Sequence, residues 1–466
     1  MTQVDRREFL RTGAKYAAGG LAAPSLIGLM ACNDVEPVGP DGEARLARAP
    51  RGAGGYGPIL ADPDGLPFLI PAGFKLRQIS KAGDDMKGSG AGNPVPNALD
   101  GMAAYHMPNG NIRLIRNHEM RDAAASTVPI GTKPWDALAG GGCTSLEVAV
   151  NPQTGEPTVI DEFVSISGTQ VNCAGGSTPW GSWLTCEETV EGIAQGRLKD
   201  HGYVFEIPAS ATSEVTPVAL NAMGRFAHEA LAVDPITGYV YQTEDSGNCG
   251  LFRFIPNVFG DLQQGGKLQM MGLVGRANYD AGTGGTPIGV PLPAQWVDIA
   301  NPDQINPTCY AQGAALGGTR FARLEGAWWG DRSVYFVSTN GGAIGAGQVW
   351  QYKPTSANTG QLMLIFESLS RTVLDAPDNI CTSPRGGIVL CEDGNGTQYL
   401  RGLTQQGKIF DFVRAADPAN ATEFAGACFS PDGNILFFNT QGSTTRLGTE
   451  RGATFAMWGP WTAGAL

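Results

Sequence analysis

Apolar and polar positions along this chain alternate in short bursts. Runs such as Ile388-Val-Leu-Cys391 and Ile435-Leu-Phe-Phe438 are brief, rich in β-formers and bounded by Gly, Pro, Asn or Asp. That spacing predicts strands, and sustained helical periodicity is nearly absent. Six segments share one grammar: a short apolar run, a turn, a second run of β-formers, then polar or acidic residues. Their turns are anchored at Pro108, Pro179, Pro235, Asp331, Pro384 and Pro431. Each reads as a β-hairpin by its turn chemistry. The anchors are 71, 56, 96, 53 and 47 residues apart, which is near the length of a propeller blade plus insertions. Six registered hairpins are too many for one sandwich, so the expected fold is all-β, a six-bladed β-propeller. Residues 70–80 are expected to supply an outer strand that closes the ring against the C-terminal blade.

The same register brings chemistry together. The sixth residue before each anchor is Met102, Cys173, Glu229, Glu325, Asp378 or Ala425. The ninth residue after it is Asn117, Glu188, Glu244, Asn340, Asp393 or Thr440. In a hairpin both positions lie at the open end, away from the turn. Singly, each has a plain explanation. Cys173 is a buried small hydrophobe, Glu187-Glu188 a solvated strand end, and Glu392-Asp393-Gly394 a turn. Together they place carboxylates and one thiol at the ends of apolar strands, around a common axis. Unpaired buried anions are costly, so this pattern predicts a metal centre. Oxygen donors suit hard ions such as calcium, and a single Cys admits iron or another transition metal. The chain has only 4 His, which speaks against a His-based zinc site. Arg323, two residues before Glu325, is expected on the same strand face and can offer a fork to phosphate oxygens.

Composition narrows the function. The chain has 466 residues, with 66 Gly and only 16% charged residues, against a usual value of about 25%. That excludes a coiled coil or a solvated charged tail. A net charge of −12 argues against nucleic acid as a partner. Asp5-Arg-Arg-Glu-Phe-Leu-Arg11, followed by an apolar stretch from Ala17 to Ala31, resembles a twin-arginine (Tat) export signal. The stretch ends at Leu29-Met-Ala-Cys32, which resembles a lipobox and makes Cys32 the candidate lipidated residue. The expected organisation is a signal over 1–31, a flexible tether over 32–57 and the propeller over 58–466. No CxxC pair or regular cysteine spacing indicates a disulfide framework.

A family resemblance joins these observations. The stretch Asn172-Cys-Ala-Gly-Gly-Ser-Thr-Pro-Trp-Gly-Ser-Trp-Leu-Thr-Cys-Glu-Glu188 resembles the hallmark of the PhoX family of bacterial alkaline phosphatases. The likeness continues through Arg225–Pro235, Tyr241–Gly247, Arg323-Leu-Glu-Gly326, Asp378-Asn379, Glu392-Asp-Gly394 and Phe429–Gly433. The resemblance implies a six-bladed propeller with an iron and calcium cluster on its axis. It also implies hydrolysis of phosphate monoesters, and in some members diesters, outside the cytoplasm. By motif, it makes Cys173 and Glu229 iron ligands, with Glu188 and Glu325 completing the cage. It makes Glu119, Asp378, Glu392 and Asp393 the calcium-side ligands and gives Arg323 the substrate phosphate. The nucleophile expected from these parts is a metal-bound oxide or hydroxide.

The expected partners are a small phosphate ester and the Tat machinery, with membrane contact only through a lipid anchor. The expected location is the periplasm, the cell envelope or the medium. A closed ring needs no second subunit, so a monomer is expected. This chain is shorter than the best-known family members, which carry larger inter-blade insertions. Two other classes compete with a phosphatase: a calcium-dependent propeller hydrolase acting on lactones or organophosphates, and a non-enzymatic, calcium-stabilised binding propeller.

Overall fold

Each of the six hairpins read from the sequence forms the two innermost strands of one sheet. The inner strands are Leu99–His106, Asn172–Ser177, His228–Val233, Leu324–Gly330, Pro377–Thr382 and Phe424–Phe429. Each packs against the next, and the last packs against the first, which makes a closed ring of six blades. This is the β-propeller that the turn spacing predicts. The computed structural model describes residues 54–417 and 423–466. The export signal and Cys32 lie outside these residues. So does all of the expected tether except residues 54–57, and these are packed. The Tyr56 ring lies against Phe74 and Phe412, and its hydroxyl stands 2.6 Å from Leu466 O.

The ring closes through its termini. Lys75–Lys81 pairs antiparallel with Arg451–Trp458 and becomes the outer strand of the sixth blade. Closure of this kind removes an exposed sheet edge. A buried polar network reinforces the same junction. Arg116, on the first blade, donates to Ser80 (3.2 Å) and Thr454 (2.6 Å) of the sixth. It also donates to Thr144 (3.0 Å) and Glu162 (2.9 Å) of its own blade. The guanidinium is fully buried, and these partners are what make its burial tolerable.

The longest gap between anchors, from Pro235 to Asp331, has a structural use. Within it, Leu292–Asp298 pairs with the outer strand Gly266–Leu273 on one side and with Gly360–Glu367 on the other. The third and fourth blades thereby share one sheet. The gap also holds Cys309–Ala315, the one α-helix among the described residues, capped by the Thr308 side chain accepting from the Ala311 amide.

Every inner strand carries a register shift at the same place. It falls between Leu99 and Met102, Asn172 and Gly175, His228 and Leu231, Leu324 and Ala327, Pro377 and Ile380, and Ala425 and Cys428. The two unpaired residues inside each shift form a β-bulge. The second of the two is small in five blades: Gly101, Ala174, Ala230, Gly326 and Ala427, with Asn379 in the fifth. The reason is proximity. A Cβ on Gly101 would strike the Ala174 backbone, and one on Gly326 would strike that of Asp378 and Asn379. Just beyond the bulges, Trp328 packs against four of the hydrophobic clusters around the axis and helps to fill the channel.

Gly426, the first bulge residue of the sixth blade, tests this packing. Its φ is +61°, and an added Cβ would meet the Asp100 carbonyl and the Asn439 amide. Gly426→Ala is expected to destabilise the fold by about 1–3 kcal/mol or more, from overpacking plus left-handed strain. The denaturation midpoint of the variant against the parent measures it.

Candidate metal centre

The bulges supply the first tier of the site. Their first residues are Asp100, Cys173, Glu229, Glu325, Asp378 and Gly426. A bulge re-aims a side chain that regular pleating would turn into the sheet, and five of these six carry a ligand atom. The second tier lies at the end of the second strand of each blade: Glu119, Glu188, Asp245, Thr339 and Asp393 just after it, and Gln441 in its last two residues. Each donates its backbone N–H to the residue just before the inner strand. The acceptors are the carbonyls of Ala98 (2.8 Å), Val171 (2.9 Å), Ala227 (3.1 Å), Arg323 (2.9 Å), Ala376 (2.9 Å) and Glu423 (3.1 Å). Four of these acceptors, Ala98, Val171, Arg323 and Ala376, are non-glycine residues held at φ near +50°. Such conformations cost on the order of 1–3 kcal/mol each and persist only where the surroundings enforce them.

Cys173, Glu325 and Asp378 of the first tier, with all of the second tier but Asp245, line a cavity of about 210 Å³. Its donor atoms form linked trios, each with its ligand atoms within 4.8 Å of one another. The chain of trios runs from Asp100, Glu119 and Cys173 to Cys173, Glu188 and Glu229. It continues through Glu188, Asp245 and Glu325, then Glu229, Glu325 and Asp378, and ends at Asp378, Asp393 and Glu423. Both carboxylate oxygens of Glu229 and Oδ1 of Asp100 are buried with no hydrogen-bond partner. Burial, then the neighbouring acids, pushes Glu229 and Asp100 far above the usual carboxylate range. The same causes raise Glu119 to about 8 and Asp393 to about 7. Burial followed by the nearby acids also drives the Cys173 thiol upward. Buried oxygens with no hydrogen-bond partner inside a mutually repelling set are compensated by cations. The donor set therefore fits metal binding.

Two guanidiniums stand over the acids. Arg323 donates through Nε and Nη2 to Asp245 (2.8 and 3.0 Å) and through Nη2 to Glu325 (2.8 Å). It reaches Glu325 as expected, although not from a shared strand face. Arg323 precedes the strand and turns inward through its left-handed backbone. Arg121 bridges Glu119 and Glu188.

Cys173, Glu188, Glu229, Glu325, Glu119, Asp378 and Asp393 are brought together here. Glu392 is not. Its carboxylate is turned into the sheet, where it accepts from Arg401 Nε at 2.8 Å and from the Asp375 amide at 3.1 Å. It is one residue short of the axis, because Glu392 still belongs to the strand that pairs with Pro377. Met102 and Ala425 are replaced at the axis by Asp100 and Gly426, because hairpin lengths differ and a fixed count from the turn drifts. Glu244 is likewise replaced by Asp245. Asn117 is a structural clamp that donates to the Cys173 and Ala174 carbonyls. Asp100, Asp245, Glu423 and Arg121 were not singled out in the sequence. An acid or thiol followed by a small residue, as in Asp100-Gly101 and Glu325-Gly326, is the signal that finds Asp100.

Comparison with known proteins decides the family. A family model described as alkaline phosphatase PhoX matches residues 54–443. This chain belongs to the PhoX alkaline phosphatase family. It is a phosphoric ester hydrolase of a metal-dependent family. The fold is similar to that of Pseudomonas fluorescens PhoX, solved in complex with vanadate, a transition state analogue. The two share 18% identity and a TM-score of 0.69, over 89% of this chain and 99% of that one. A gluconolactonase from Xanthomonas campestris aligns at 11% identity and a TM-score of 0.42, over 90% of this chain and 100% of that one. No curated protein sequence matches.

Two outcomes test the site. In chelator, the raised carboxyls hold protons when folded that they release on unfolding, so stability falls as pH rises. The fall should run from the ordinary carboxylate range up through about 7 for Asp393 and about 8 for Glu119. Melting temperature against pH, with chelator and with added calcium, measures it, and the cation should flatten the slope. Glu392→Ala should leave metal content unchanged while costing on the order of 3 kcal/mol, because Arg401 loses its buried partner. Elemental analysis and denaturation read the two effects separately.

Proposed function

We propose that this PhoX-family protein is an exported phosphate monoesterase whose axial site holds iron and calcium. The observation that supports this most strongly is the Cys173–Glu229 neighbourhood, where a lone thiol sits among carboxylates with both Glu229 oxygens unpartnered. A thiolate favours a transition metal, and Cys173 with Glu229, Glu188 and Glu325 is the set that would hold iron. The all-oxygen group of Asp378, Asp393 and Glu423 suits calcium, as do the carboxylates of Asp100 and Glu119 beside Cys173. When bound, the cations supply charge neutralisation for phosphate oxygens and activation of water.

The protein's own residues do the rest. Arg323 offers its guanidinium to the equatorial oxygens of the phosphoryl group, where charge shifts in the transition state. Asp245 and Glu325 fix its plane from two sides. The packed axis below, with Trp328, keeps the cup closed at that end. The bulge geometry and the strained residues before the strands hold every ligand on rigid strand ends rather than on loops, which is the arrangement that preorganised electrostatics needs.

The twin-arginine motif supports export by Tat to the periplasm or cell envelope, with Cys32 as a candidate lipid anchor. No helix among the described residues is long and apolar enough to cross a membrane. Protein exported through the Tat route is expected to contain iron and calcium by elemental analysis. It should hydrolyse a generic aryl phosphate and be inhibited by orthovanadate. Cys173→Ser should lose iron and its thiolate charge-transfer absorption. Arg323→Ala should keep the metals and lose roughly 100-fold or more in turnover. Full turnover in that variant removes the role of Arg323, and a metal-replete parent without turnover removes the phosphatase reading.

A further inference from the structure

The cup has a second guanidinium whose state differs from that of the buried arginines Arg116 and Arg401. Arg116 is fully buried and spends both Nη atoms on four acceptors. Arg401 is also buried, and engages Glu392, Asp411 and the Thr372 carbonyl. Arg121 is different. Its side chain is 46% exposed, it lines the cavity, and its partners Glu119 and Glu188 are 4% and 9% exposed beneath it. Among the described residues only its Nη2 is engaged, shared between those two acids. Its Nε and Nη1 make no hydrogen bond to the described residues. Arg323, by contrast, has already given its Nε–Nη2 edge to Asp245.

The main chain beneath Arg121 is fixed while its tip is not. The Arg121 amide donates to the Thr444 carbonyl (2.7 Å), and the preceding Met120 is buried. Arg323 is similarly pinned by its amide on the Ser246 carbonyl (2.8 Å). The two guanidiniums thus approach one cavity from different blades. Glu188 lies between them, bonded directly to Arg121 and grouped with Asp245 and Glu325 under Arg323.

We propose that Arg121 is a second phosphate-binding guanidinium, a specificity residue that works with Arg323 to favour doubly charged phosphate monoesters over diesters. The inference rests on the phosphatase reading of this cup. Its chemistry is that of charge and free oxygens. A monoester presents a dianion with three unsubstituted oxygens, whereas a diester presents a monoanion with two. One fork and the cations satisfy the diester. The third oxygen and second charge of the monoester need a further donor, and the unengaged Nε–H and Nη1–H groups of a half-exposed guanidinium supply charge-assisted hydrogen bonds for that role. Cations bound at Glu119 and Glu188 would weaken the hold of those acids on Arg121 and leave it for the ligand.

The test separates this from a counter-ion role. Metal-replete parent, Arg121→Ala and Arg121→Lys are compared for metal content, for binding of inorganic phosphate by calorimetry, and for turnover of an aryl phosphate and a bis-aryl phosphate. Arg121→Ala is expected to keep its metals and to bind phosphate roughly tenfold to 100-fold more weakly, the range of a lost charge-assisted hydrogen bond. Its KM should rise for the monoester by a similar factor and for the diester by less than about threefold, a selectivity that the same principle assigns to the extra charge. Arg121→Lys should recover part of the phosphate affinity through charge alone. Unchanged phosphate binding, loss of metal in Arg121→Ala, or equal losses on the two esters overturns the proposal. The calorimetry is independent of turnover. A parent that binds phosphate through Arg121 but hydrolyses neither ester would sink the phosphatase reading while sustaining the phosphate-binding role.

Discussion

Nine carboxyl groups and one thiol converge on a cavity of about 210 Å³, and this crowding governs the rest of the structure. No fold places so many acids together for stability. Burial and their mutual repulsion raise Glu119 and Asp393 toward neutral pKa values, and both carboxylate oxygens of Glu229 are left without a hydrogen-bond partner. The protein supplies two guanidiniums against this, too few to balance the set. Cations are the remaining source of compensation, and the linked trios give them a series of subsites sharing ligands. The propeller is the container that keeps the acids from relaxing apart.

That containment is built from one local device repeated around the axis. Each inner strand is bulged at the same position, so the residue that would alternate into the sheet turns toward the axis instead. The next residue must then be small, because neighbouring strands approach there to backbone contact. The residue before the strand accepts the second-tier amide, and in four blades it adopts a left-handed backbone without being glycine. Val171 is the clearest case, since a β-branched side chain is poorly suited to positive φ. The ring of blades over-determines these conformations. Strain at the strand ends and rigidity of the sheets are therefore two aspects of one arrangement.

The sequence carried the architecture because hairpin turns announce themselves locally. Pro, Asn and Gly at the six anchors marked the inner strand pairs, and the apolar stretch near residue 75 marked the closing strand. The site was legible only in part, for a physical reason. Counting from a turn assumes equal strand lengths, but the first hairpin is longer and the sixth shorter between turn and bulge. The count therefore fell on Met102 and Ala425 instead of Asp100 and Gly426. Bulges are set by pairing, which the linear chain does not display. Glu392 and Asp393 show the same limit, since adjacent acids face opposite ways, one to Arg401 and one to the axis. Arg121 carried no motif at all. Its role depends on which nitrogens of a guanidinium stay unengaged.

The sixth blade departs from its neighbours, and the departure gives the cup a direction. It offers Gly426 where the others offer an acid or thiol, and Gln441 where the first, second, third and fifth offer a carboxylate. The Gln441 amide donates to Asp100 (2.9 Å) and Glu119 (2.5 Å), and the Asn379 carbonyl accepts from the Gly426 amide (2.5 Å). The Gln441 side chain thus braces Asp100 and Glu119 as a neutral donor, while the acid this blade contributes, Glu423, stands on the other side with Asp378 and Asp393. The fourth blade is also short of a second-tier acid, with Thr339, yet it brings Arg323. Negative charge is consequently uneven around the axis. The guanidiniums sit over Glu119, Glu188, Asp245 and Glu325, which puts the positive charge of the cup on that side. A six-fold scaffold becomes a one-sided binding site because its repeats agree in backbone and differ in side chain.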